Sequence, residues 1–429
     1  MSQLLLLFFS LLFLNSCSND ANQSAVTNIY TASIPFSSQC ASSKITTVSS
    51  ATDRPMLVVL LSYKNVQISS DLTTWASKIF GKKQGQLNNY YREISQNQFE
   101  FSEATGCNGI ASINLGKNHP NAENIANIYP DLALALSALK NKISFSAYDN
   151  NGDGYISYDE LLITFIIAGY EDAYEGQHVT NGIWAQKGCI DDSSIAPIVD
   201  GVSLLKCSGQ GNFALFGEKH DIHAPHDATI GIIAHELGHS AFNLPDLYFG
   251  GGIGAFGLMG AGIWAYANDT QYPGESPVHM SAWSKVYNKW VMPDETKGTK
   301  VMNATSLTSY NVVKVQNGSK YYLLENRDNS GYDKGFYFLD GNFSGGLAIW
   351  EIDDTKTTQA YLDNNSVNAD KNNKGVSIVD AKQGGYVDGG KNGNGNTLFY
   401  SGNVDALYTA DANISNISAQ GVAMTLDIN

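Results

Sequence analysis

Hydrophobic and polar positions fall into two textures along this chain. Up to about residue 293, continuous apolar runs alternate with apolar residues at helical spacing. Beyond Pro293, brief β-branched and aromatic runs are cut by Gly, Asn and Asp clusters. Met56–Leu61 is apolar throughout, the pattern of a buried strand. Leu72–Lys78 predicts a helix capped by Asp71, and Gln86–Ser95 a second. Pro130–Lys142 predicts a third, with proline in its first turn and Leu132, Leu136 and Leu139 on one face. Leu161–Ile167 predicts a central strand that Gly169 closes. Ile230, Ile233, Ala234, Leu237 and Ala241 recur at three- and four-residue spacing and predict a helix for which Asp227 is the expected cap. In the tail, Tyr321–Leu324 and Leu347–Trp350 read as strands, and Lys391–Asn396 as a surface loop. The expected architecture is an α/β (α+β) domain over residues 54–295, followed by an all-β C-terminal domain over 296–429.

The start of the chain has a different character. Met1–Phe13 is apolar but too short for a comfortable bilayer span, which suits the core of a signal peptide and predicts export. Residues 1–17 end in Leu14-Asn15-Ser16-Cys17, which resembles a bacterial lipobox. Cys17 is therefore the expected lipidation site, and the outer membrane or cell surface the expected location, with plain secretion as the alternative. Residues 18–53, rich in Ser, Ala, Thr and Asn, read as a flexible tether. An exported chain meets an oxidising compartment. The remaining Cys40, Cys107, Cys189 and Cys207 then allow two disulfides, with Cys189–Cys207 and Cys40–Cys107 favoured over a free Cys40 thiolate that holds a metal in latent form.

At 429 residues and 43% hydrophobic content the chain can bury a large core. Its 41 acidic against 26 basic residues leave a net charge of −15, a field that repels phosphate backbones and argues against a nucleic-acid partner. The membrane contact expected is the lipid anchor at Cys17, and the chain is expected to be a monomer.

The chemistry concentrates in His235-Glu236-Leu237-Gly238-His239. Histidines four apart on a helix project from one face and can share a metal ion; the glutamate beside them can take a proton from a water that zinc has acidified. A catalytic zinc needs a third protein ligand. Asn243 tolerates the left-handed turn that ends a helix and Pro245 forbids its resumption, so Asp246 is the natural third ligand, with Glu275 the alternative. His220, His223 and His226 fit no tetrahedral spacing and read as a polar loop leading into the helix. Tyr248, Tyr266 and His279 are candidate donors to a developing oxyanion.

His-Glu-Leu-Gly-His followed by Leu-Pro-Asp-Leu-Tyr resembles the immune inhibitor A family of secreted bacterial metallopeptidases, relatives of the metzincins. Phe256–Trp264 is similar to the family's Met-turn, and this likeness gives Met259 the role of a hydrophobic floor beneath the metal. Pro277–Lys285 with Trp290-Val291 resembles the closing helix, Tyr90–Ser95 the early helix, and Tyr322–Arg327 and Gly346–Trp350 also look familial. The resemblance implies a metzincin-like zinc peptidase fold. Asp246 lies seven positions after His239, where the family spacing is six, so one extra helical residue before the turn is expected.

Residues 149–160 place oxygens at loop positions 1, 3, 5, 7, 9 and 12 with Gly154 at position 6, the pattern of a calcium loop. Asp149, Asn151, Asp153 and Glu160 would supply side chains, Tyr155 its carbonyl and Ser157 a direct or water-bridged contact. The sequence thus predicts a zinc- and calcium-binding endopeptidase acting on protein or peptide substrates. The rival readings are a non-catalytic surface lipoprotein that binds a host or matrix polymer, and a zinc hydrolase of a non-peptide bond.

Overall fold

The structure, a computed structural model, describes residues 53–429 except 105–108, 122–124, 318, 383–384, 387–391 and 411. Cys17, Cys40 and Cys107, with the signal, lipid-anchor and Cys40–Cys107 expectations attached to them, lie outside the described residues.

The first half is a mixed α/β layer. In chain order it comprises β1 (Asp53–Ser62), α1 (Leu72–Phe80), α2 (Leu87–Ile94), β2 (Glu100–Glu103), β3 (Ile110–Asn114), α3 (Tyr129–Ala138), β4 (Leu162–Glu171) and α4 (Asp172–Glu175). Then come β5 (Gly182–Ile183), β6 (Gln186–Gly188), β7 (Ile198–Val199), β8 (Val202–Ser203), β9 (Phe213–His220), β10 (His226–Asp227), α5 (Ile230–Phe242) and α6 (Ala282–Tyr287). The main sheet runs β10-β9-β4-β1-β2, with β3 also on β1, β5 on β4 and β6 on β9. Pairings among β1, β2, β3, β4, β5 and β9 are parallel, while β6 and β10 run antiparallel to β9.

The continuous apolar run of β1 follows from burial on both faces. Met56, Val58 and Leu60 join the core beneath α1, α2 and α5, whereas Leu57, Val59 and Leu61 join a second core with Leu132 and Leu136 of α3. Full burial of each such side chain stabilises by about 1.5–3 kcal/mol.

Two expectations shift in detail. β4 does not close at Gly169 but continues to Glu171 through a register shift between Ile167 and Tyr170. Gly169 permits that irregularity at φ +118, where a Cβ would stand 2.0 Å from the Asn181 carbonyl oxygen. The helix expected to reach Lys142 stops at Ala138, the chain turning through Asn141 at φ 63.

The tail supplies β11 (Gly298–Asn303), β12 (Val313–Asn317), β13 (Lys320–Arg327), β14 (Gly346–Asp353), a short α7 (Gln359–Asp363), β15 (Val376–Asp380), β16 (Gly385–Tyr386), β17 (Leu407–Tyr408), β18 (Asn413–Ser415) and β19 (Ala423–Ile428). They form antiparallel sheets ordered β12-β13-β14-β15-β16 and β11-β19-β18-β17. Tyr322, Leu324, Leu347 and Ile349 face the second of these sheets, while Leu323, Ala348, Trp350 and Ile378 share the core that contains Leu237 and Met259. The tail sheet is thus packed directly onto the layer that carries the histidines.

Candidate active site

α5 is apolar nearly all round and correspondingly buried. Its N-cap is Thr229, whose hydroxyl donates to the Pro273 carbonyl at 2.8 Å. The expected cap, Asp227, accepts instead from the Ser70 hydroxyl and the Lys219 ammonium, because it lies in β10 and faces that cluster. The helix extends through Phe242 and ends at Asn243, φ 52, whose N–H returns to the His239 carbonyl. Ser240–Phe242 thus stay helical before the turn, and Pro245 then carries the chain back over the helix.

That return brings three ligand atoms together. Asp246 Oδ1 lies 3.1 Å from His235 Nε2 and 3.2 Å from His239 Nε2, and the two Nε2 atoms are 3.1 Å apart. Each Nδ1 faces a carbonyl, Leu258 O at 3.0 Å for His235 and Leu244 O at 2.6 Å for His239. Both Nδ1 atoms therefore donate, and the Nε2 lone pairs are left pointing at each other and at a carboxylate. Three electron-rich atoms at this separation, on buried His235 and Asp246 and half-buried His239, need a cation between them. A tetrahedral ion with bonds of about 2.0–2.1 Å separates its ligand atoms by about 3.3 Å, so the trio fits such a metal. Among the described residues, it is this His-His-Asp group whose ligand atoms lie within 4.8 Å of one another. Glu275 is not in it; its carboxyl, raised by burial, faces His226 and Lys78.

Glu236 is 5% exposed and its Oε2 has no hydrogen-bond partner. Burial pushes its carboxyl up to about 8, His235 opposing the rise and Asp246 adding to it. Met259 lies under the helix at 1% exposure. Its sulfur packs so close to Gly238 that a Cβ there would stand 2.6 Å from Sδ, and its carbonyl accepts the Leu247 N–H at 2.7 Å. The 258–259 segment thus holds both His235, through Leu258 O, and the strand of chain that bears Asp246.

Of the three oxyanion candidates, Tyr248 faces the trio. Its hydroxyl donates to Asp246, its ring stacks 6.4 Å from that of His235, and burial followed by the Asp246 charge raises its phenol. His279 is fully buried with Nε2 on Glu93 at 2.9 Å, and Tyr266 packs against Tyr337 and Phe338. His220, His223 and His226 do not form the polar loop expected of them. His220 sits in β9 at 0% exposure stacked on Tyr174, His226 sits in β10 stacked on Tyr272, and His223 is exposed in the turn between. Burial holds His220 well below the usual histidine range.

Two residues near the site were not singled out from the sequence. Glu171, fully buried at the end of β4, accepts backbone N–H groups from Ala173, Ala185 and Gly217 at 2.8–3.0 Å. Burial pushes it up to about 8 against those three donors, with Glu236 adding to the rise. A carboxylate directly after a buried strand was the available signal. Asn365 contacts Asp246 from the tail: Asp246 N–H donates to its Oδ1, and its Nδ2 donates to Asp246 Oδ2, both at 2.6 Å. Nothing local marks it, since Asp363-Asn364-Asn365 reads as a turn.

In the 149–160 loop, Asp149 accepts the N–H groups of Gly152, Asp153 and Gly154, and Asp153 accepts that of Tyr155. Glu160 accepts Asn150 N–H at 2.9 Å, Ser157 N–H at 3.0 Å and the Ser157 hydroxyl at 2.9 Å. Tyr155 forms a bridge with Ser203, and the Cys189–Cys207 disulfide closes the segment that bears Ser203. Asn151 Nδ2 donates to Asp153 Oδ2 at 3.1 Å and its Oδ1 accepts the Asp153 N–H at 2.9 Å.

Residues 76–294, about half of the chain, match the family model described as immune inhibitor A peptidase M6, catalytic domain. No curated protein matches the chain.

Proposed function

The chain belongs to the immune inhibitor A peptidase family, and from that premise we propose that it is an exported zinc-dependent endopeptidase that hydrolyses peptide bonds of extracellular or surface proteins on a metzincin-like fold. The observation that carries the reading is the convergence of His235 Nε2, His239 Nε2 and Asp246 Oδ1 beside a buried, unpartnered Glu236 Oε2. Two imidazoles and one carboxylate are a donor set suited to zinc. Zinc, when bound, is a Lewis acid toward a carbonyl and lowers the pKa of water to about 7. Glu236, in its ionised form, accepts a proton at Oε2 and later releases it to the leaving amine, a role that the unpartnered Oε2 leaves open. Tyr248 donates to the developing oxyanion when its single O–H turns away from Asp246. Met259 supports the helix from below.

The 149–160 loop is read as a structural calcium site with Asp149, Asn151, Asp153, Tyr155, Ser157 and Glu160 as ligands. Its support is the spacing of the oxygens and Gly154 in the left-handed region at φ +81. The apolar Met1–Phe13 run and the lipobox-like end at Cys17 support export, with a lipid anchor at the outer membrane or cell surface.

Casein and a peptide library test the activity, with Glu236→Ala and 1,10-phenanthroline as controls. Cleavage is expected for the wild type and not for either control; cleavage that survives Glu236→Ala would sink the assigned role, and a zinc-loaded wild type that cleaves nothing would sink the peptidase reading. For calcium, excess EGTA should lower the melting temperature, and an unchanged Tm would count against the loop as a metal site.

A further inference from the structure

The metal trio is held from outside the matched segment. His235 and His239 each have their second ring nitrogen fixed by a carbonyl of a neighbouring turn. A carboxylate needs an equivalent restraint, because rotation about its terminal bond is soft and either oxygen could swing to the metal. Asp246 receives that restraint from Asn365, 119 positions later. The amide is used in both senses: Nδ2 donates to Asp246 Oδ2 while Oδ1 accepts the Asp246 backbone N–H, each at 2.6 Å. This leaves Oδ1 of Asp246 facing the two Nε2 atoms. The same strap touches the ligand segment twice more. Asn243 Nδ2 donates to Asp363 Oδ1 at 3.1 Å, and Asn368 Nδ2 donates to the Leu247 carbonyl at 3.1 Å.

We propose that Asn365 is a positioning residue for the third metal ligand, and that the strap from Asp363 to Asn368 sets the affinity and geometry of the metal centre. The proposal rests on the metal reading above. The plainer role for Asn365 is conformational: it stands at φ 49 just after α7, where asparagine is tolerated. The two roles separate under substitution, because glycine takes the left-handed backbone more readily than asparagine and removes only the amide.

The test uses the full chain, stripped of metal and titrated with zinc against a chromophoric chelator, together with the visible spectrum of the cobalt(II) form. Asn365→Gly is expected to weaken zinc binding about 10–100-fold, the usual effect of losing an outer hydrogen-bond partner of a ligand, and to change the cobalt bands, while the Tm of the metal-free protein stays close to wild type. Asn365→Asp, which keeps the shape but sets a carboxylate against Asp246, is expected to weaken zinc in the same direction and carries the test if the glycine variant does not fold. Zinc affinity within twofold of wild type and an unaltered cobalt spectrum in the folded variant would overturn the proposal and leave the metal reading standing. A wild type that takes up no zinc, or a His235→Ala variant that keeps it, would overturn both.

Discussion

Single residues at this site are each committed twice. His235 offers Nε2 to the trio and Nδ1 to Leu258 O, and Met259 gives its sulfur to Gly238 and its carbonyl to Leu247. The histidine pair and Glu236 were legible in the sequence because helical geometry fixes what four-residue spacing does. The fates of His220 and Asp227 were not legible: a polar string such as Lys219-His220-Asp221 gives no sign that a sheet edge will bury its middle residue. A buried histidine elsewhere makes a pH prediction. His119 is 4% exposed, with Nδ1 accepting the Asn121 N–H and Nε2 without a partner, and burial lowers it to about 4. It is a base whose folded value lies below its unfolded value of about 6.5, so the unfolded chain binds its proton first as pH falls. The resulting stability is present above about pH 6.5 and is lost progressively down to about pH 4, by an amount of order 3 kcal/mol. Denaturant unfolding of His119→Gln should show a smaller loss between pH 7 and pH 4 than the wild type; equal losses would mean that the ring is not held neutral.

At the scale of elements, α5 was legible in type and nearly in extent, since its apolar periodicity and Asn243 stop agree with its packing. The strands were legible where burial makes them continuous, as in β1, and the bulge at Gly169 was not, because it is set by Asn181 from another part of the chain. The 149–160 loop is tied to the rest by two devices. Arg54 of β1 pairs with Asp159 at 2.7 Å and also donates to the Ala241 carbonyl near the end of α5. On the other side, Ile156 N–H donates to Ser203 O at 3.0 Å, within the segment that the disulfide spans with a separation of 18 residues. A closed loop of that size stabilises by about 3 kcal/mol, through the entropy of the unfolded chain. The double change Cys189→Ser and Cys207→Ser is therefore expected to lower Tm by roughly 6–12 °C, at about 2–4 °C per kcal/mol for a domain of this size. Calorimetry checks it, and a Tm unchanged by the double change would mean that the segment is already ordered in the unfolded ensemble.

The whole molecule is organised by a core that crosses between its two textures. The expectation of separate stretches at 54–295 and 296–429 came from a change in sequence pattern, which reports secondary structure and not which surfaces meet. At the meeting point, Arg327 forms a bidentate pair with Asp333 at 2.6 Å and also donates to the Phe256 carbonyl of the methionine-bearing turn at 2.7 Å. Glu325 accepts there from Lys285 and Tyr310, and all of these side chains except Tyr310 are at most 1% exposed. The Arg327 charge holds Asp333 below the usual carboxylate range despite burial. Removing one member strands the other in an apolar interior. Arg327→Met should cost about 3–5 kcal/mol and lower zinc occupancy with it, measured by denaturant titration and metal analysis; a loss below 1 kcal/mol would show the lattice to be slack. The Asn365 contact was unreadable for a related reason: it joins two turns 119 positions apart that share no pattern. Synthesis gives that separation a further meaning. A growing chain carries His235, Glu236 and His239 well before it has made the residues that hold Asp246 and the methionine turn in place. The restraint on Asp246 can therefore form only once synthesis has passed Asn365, 119 positions after the ligand it holds.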